Sequence, residues 1–175
     1  MDAQLELHAR PHPDARVRRL GFDLTHPYVE QCWGAVIGPS SVAILRRLPV
    51  LWSEHEPALL PADALARTLG LGPSAGAHGR FNRALDRLAQ FHLAEWLEPE
   101  SAIAVYSEVA PFSDRRLARV PEWTRDAHER LLGAHLDRIA TVKDYGSQVT
   151  EITARLDRFE RPTSNSLPPS KALGR

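Results

Sequence analysis

The sequence predicts a mainly α fold with a small β-hairpin and a long C-terminal helical segment. Three observations carry this. Apolar residues recur at spacings of three and four from Tyr28 to Phe91, the pattern turns to near-alternation between Leu93 and Val109, and helix formers return after Ser113. At 175 residues, 43% hydrophobic and 25% charged, the chain is long and apolar enough to bury a core without disulfide or metal staples.

Taken in order, residues 1–20 carry Pro11, Pro13 and scattered charge without sustained periodicity, which predicts a flexible N-terminal arm. In HPYVEQCWGAVIG, Tyr28, Val29, Cys32, Trp33 and Val36 fit a short helix ending at Gly38. Pro39 then suits the first turn of a buried helix bearing Val42, Ile44, Leu45 and Leu48, and Pro49 is expected to end or kink it. LPADALARTLGLG reads as a short helix with Leu65, Ala66 and Leu69 on its apolar face, stopped by Gly70 and Gly72.

After the small-residue loop PSAGAH, Phe81, Ala84, Leu85, Leu88 and Phe91 align on one face of an amphipathic helix. Leu93, Glu95 and Leu97, the turn EPES, then Ile103, Val105 and Val109 form the expected hairpin. Pro121 starts a new helix near Glu122. Leu131, Leu132, Leu136, Ile139, Val142, Val149, Ile152, Leu156 and Phe159 supply its apolar stripe, weakened by Gly133 and Gly146. The expected organisation is therefore an arm over 1–20, a domain over 21–112, a helical segment suited to dimerisation over 113–160, and a disordered tail over 161–175.

Helix, short helix, turn, amphipathic helix and hairpin is the element order of a winged helix-turn-helix. ALARTLGLG followed by FNRALDRLAQFHLAEWL is similar to the corresponding segment of bacterial winged-helix regulators, and HPYVEQCWGAVIGPSSVAILRRL resembles winged-helix proteins of actinobacteria. The likeness runs from about Pro39 to Val109. It implies that the helix after the turn is a recognition helix and the hairpin a wing. The residues facing a major groove would then be Arg80, Asn82 and Arg83, with Arg87 one turn on.

The chemistry of those residues suits that role, because Arg pairs bidentately with guanine, Asn does so with adenine, and an arginine farther along takes a phosphate. In an arbitrary protein the same spacing is more often a solvated charged face. The wing argues against DNA: Glu95, Glu98, Glu100 and Glu108 are its only charged side chains from Leu93 onward, and phosphates repel them. Overall charge does not decide, since Lys+Arg and Asp+Glu both number 22.

Other chemistry finds less support. His128 and His135 lie seven apart on one helix face, but no third ligand is placed for zinc. Cys32, the single cysteine, excludes an internal disulfide and reads as a small buried hydrophobe suited to a reducing cytoplasm. Glu54 and Glu56 have no pocket to share, and Trp33, Trp52, Trp96 and Trp123 read as core or interface anchors. No secretory leader is evident and no uninterrupted apolar run approaches ~18 residues. The sequence reading is a cytoplasmic, non-enzymatic protein without cofactor or metal, binding double-stranded DNA as a homodimer and regulating transcription. The alternative is a winged-helix module that binds a protein.

Overall fold

The computed structural model describes residues 4–72, 79–98 and 101–160, with side chains as far as 143. The fold is mixed α/β, mostly helical (59%), with one four-stranded and one two-stranded sheet. A compact unit spans Met1–Leu136 and a second unit spans Asp137–Arg175.

The first element corrects the sequence reading. Residues Gln4–Arg10 form strand β1 rather than part of a flexible arm, and helix α1 follows at Ala15–Leu20. The missed signal is the alternation in LELHA, which turns Leu5 and Leu7 into the core at 5% and 0% exposure. Two prolines downstream masked it. Asp14 caps α1 by accepting from the Arg16 N–H at 2.7 Å.

Strand β2, Phe22–Asp23, pairs with β6, Glu108–Val109. Gly21 makes the approach possible, since a Cβ there would lie 2.5 Å from the Val17 carbonyl oxygen and 2.8 Å from that of Val109. A π-helical turn at Val29–Trp33 leads into α2, Gly34–Glu54. Gly38, at φ 79°, breaks α2 in two, and Pro39 opens the second part as its fixed φ favours. Pro49 does not end the helix. Ile44, Leu45 and Leu48 are fully buried around it, and the Trp52 indole N–H donates to the Leu7 carbonyl at 3.0 Å, so packing offsets the lost backbone bond. The stretch Val29–Glu54 is long and apolar enough to cross a membrane by length and composition, although Arg46, Arg47 and the serines interrupt it. Its buried side chains belong to the core of the first unit.

Strand β3, Ala58–Pro61, runs into α3, Ala62–Thr68, and α4 covers Arg80–Gln90. The expected hairpin is present as β4, Ala94–Leu97, and β5, Ala102–Tyr106, with Ala94 opposite Val105 and Leu97 opposite Ala102. It is the edge of a larger sheet, ordered β3-β1-β5-β4, in which β1 lies antiparallel to β3 and parallel to β5. A strand buried on both faces needs no alternation, and Ala102–Val105 are all buried.

Helix α5, Asp114–Leu117, precedes α6, Glu122–Glu160, which runs through both Gly133 and Gly146. Val120, Thr124, Ala127 and His128 are buried in the first unit, so packing continues past residue 113, where the sequence reading divides the chain. Leu136 and Val142 are exposed at 42% and 66%. The expected tail over 161–175, the PSAGAH loop, the tip residues Pro99 and Glu100, and the stripe side chains from Val149 onward lie outside the described residues.

Candidate nucleic-acid interface

Helix α4 is amphipathic because Phe81, Ala84, Leu85 and Leu88 share one face, and all four are buried. Ser41 ties it to α2 by donating from its hydroxyl to the Ala84 carbonyl at 3.1 Å. This contact sets the start of the second part of α2 beside the exposed flank of α4. Between them lies a cleft of about 280 Å3, with Gly38, Pro39 and Ser40 on one wall and Arg80, Arg83 and Arg87 on the other.

Three of the four residues named from sequence thus meet in one place. Asn82 does not, because two steps of roughly 100° each carry it to the opposite flank from Arg80. It is partly buried and does not line the cleft. Arg80 and Arg83 are exposed and form no ion pair or hydrogen bond among the described residues. Arg87 has structural work besides: its guanidinium donates to the Val36 carbonyl at 3.0 Å and lies 5.9 Å from the centre of the Phe91 ring. Val36 stands just before the break at Gly38, where helix-end carbonyls lack partners, so Arg87 closes the end of the first part of α2.

The acidity of the hairpin is partly engaged by the N-terminal segment. Glu108 accepts from the His12 N–H at 2.9 Å, and Glu95 faces Arg10 at 3.9 Å, a long, exposed pair of little energetic weight. Asp86, the one acid on α4, accepts from the Trp96 indole N–H at 3.2 Å and so joins helix to hairpin. Glu98 remains exposed.

His128, His135 and Cys32 lie among core aromatic and apolar residues. His128 is 6% exposed against Tyr28, and His135 lies 4.4 Å from the Phe22 ring with both nitrogens buried and without a hydrogen-bond partner among the described residues. No group of three or more His, Cys, Asp or Glu among the described residues is arranged to hold a metal ion. Cys32 is buried, and burial pushes its thiol up to about 11, which keeps it protonated. Trp33 and Trp52 donate their indole N–H groups to the carbonyls of Ala110 and Leu7, whereas Trp123 is 65% exposed.

No family model, curated protein or solved structure matches this chain.

Proposed function

We propose that the chain is a cytoplasmic winged helix-turn-helix protein that binds duplex DNA and regulates transcription. One observation supports this above others: Arg80, Arg83 and Arg87 line one cleft, facing the start of the second part of α2, and none of them pairs with a carboxylate among the described residues. Guanidinium groups so placed suit phosphates. Helices α3 and α4 correspond to the helix-turn-helix and the β4–β5 hairpin to the wing. The insertion of β1 between β3 and β5 is an elaboration of that arrangement.

Asn82 is less suited than the arginines to join that duplex contact, since it lies on the opposite flank from Arg80. The experiment is duplex binding measured against salt for the parent and for Arg80→Ala with Arg83→Ala. A protein-binding role is the second reading, favoured by the exposed Trp123 on α6. Self-association into a homodimer through the apolar stripe of α6 is tested by sedimentation of the full chain.

A further inference from the structure

A second basic cavity, of about 430 Å3, lies where α5 meets the first part of α2, and the sequence reading did not single it out. Arg115, Arg116 and Arg119 line it together with Ser113, while Val36, Phe91 and Val120 give it apolar walls. No acidic side chain lines it.

Arg116 is the informative residue. Its guanidinium lies 4.4 Å from the centre of the Trp33 ring, 5.5 Å from that of Phe112 and 5.8 Å from that of Phe91. These rings stabilise a cation but accept no ordinary hydrogen bond. The group is only partly exposed, and it makes no ion pair or hydrogen bond among the described residues. Set among rings and only partly exposed, this guanidinium keeps five N–H donors that an anion entering the cavity can engage. Burial also lowers the Arg116 pKa, in keeping with its partial desolvation.

We propose that this cavity binds a small organic anion, a phosphate or carboxylate carried on an apolar or aromatic body. The acid would meet Arg116, with Arg115 and Arg119 at the mouth, and the body would lie against Phe91, Val36 and Val120. Bidentate pairing with guanidinium and stacking on a ring are the interactions these residues offer. The volume falls within the ordinary range of small-molecule sites. This cavity adjoins the α4 cleft through Arg87, which contacts Val36 and Phe91, but neither Arg80 nor Arg83 lines it and it does not depend on the DNA reading.

Calorimetric titration of the full chain with phenyl phosphate tests it, with inorganic phosphate as comparator. Saturable one-site binding is expected, tighter for phenyl phosphate, weakened at least about tenfold in Arg115→Ala with Arg119→Ala, and unchanged in Arg80→Ala with Arg83→Ala. Both pairs consist of exposed side chains, so circular dichroism should match the parent. Absence of saturable binding up to about 1 mM overturns the proposal, as does equal affinity for inorganic phosphate or indifference to loss of Arg115 and Arg119. If removing that pair instead abolishes duplex binding and no phenyl phosphate binds, the cavity is a DNA-phosphate contact and the small-anion proposal is wrong.

Discussion

The Tyr28 hydroxyl and the His128 Nδ1 lie 2.6 Å apart in the core, and the same hydroxyl accepts from the Phe112 N–H at 2.9 Å. The Tyr28 hydroxyl carries one proton and two lone pairs, so which partner donates across the contact depends on the His128 tautomer. Desolvation lowers the His128 pKa, outweighing the opposing fields of Glu129 and Asp114. The unfolded chain therefore binds a proton near 6.5 that the folded chain resists.

Stability from this site is present above the unfolded value and is lost as pH falls through the folded one. The melting temperature of the parent should decline between about pH 7.5 and 5.5 more steeply than that of His128→Gln, whose amide is polar but does not titrate. Parallel curves would show that His128 does not carry the acid sensitivity.

Leu7 is fully buried on a strand flanked by β3 and β5. Its replacement by alanine should destabilise the chain by about 2–5 kcal/mol in denaturant unfolding, the usual cost of emptying a core leucine site. A change below about 0.5 kcal/mol, typical of a surface position, would contradict the placement of β1.

Arg87 should separate from its neighbours in stability. Arg87→Ala removes the donor to the Val36 carbonyl and should cost about 0.5–1.5 kcal/mol, while Arg80→Ala and Arg83→Ala should stay within about 0.5 kcal/mol of the parent. Chemical denaturation of the three single variants measures this. Equal effects would mean that the Arg87 contact contributes nothing.

Much of the helical part was legible because its signals are local. The spacing of Phe81, Ala84, Leu85 and Leu88, the break at Gly38 and the restart at Pro39 each follow from nearby residues and hold in the structure. Strand β1 was less legible, since its alternation is short and its partners β3 and β5 are distant in sequence. Pro49 read as a helix end or a kink because propensity cannot weigh the packing of Leu45 and Leu48. At the cleft, the helical period that groups Arg80, Arg83 and Arg87 also carries Asn82 to the other flank, whereas the facing wall of Gly38, Pro39 and Ser40 arises only from tertiary packing. The Arg116 cavity was not legible at all, because Trp33, Phe91 and Phe112 meet only through tertiary packing.

The salt dependence of duplex binding tests the central proposal most directly. Fluorescence anisotropy on a mixed-sequence duplex should give a linear fall of log K with log salt, each neutralised phosphate contributing about −0.9. Removing Arg80 and Arg83 together should make that slope shallower by about two per protomer and weaken binding, with the fold retained. A parent that does not bind duplex at low salt, or a double variant with the parent's affinity and slope, would contradict the account.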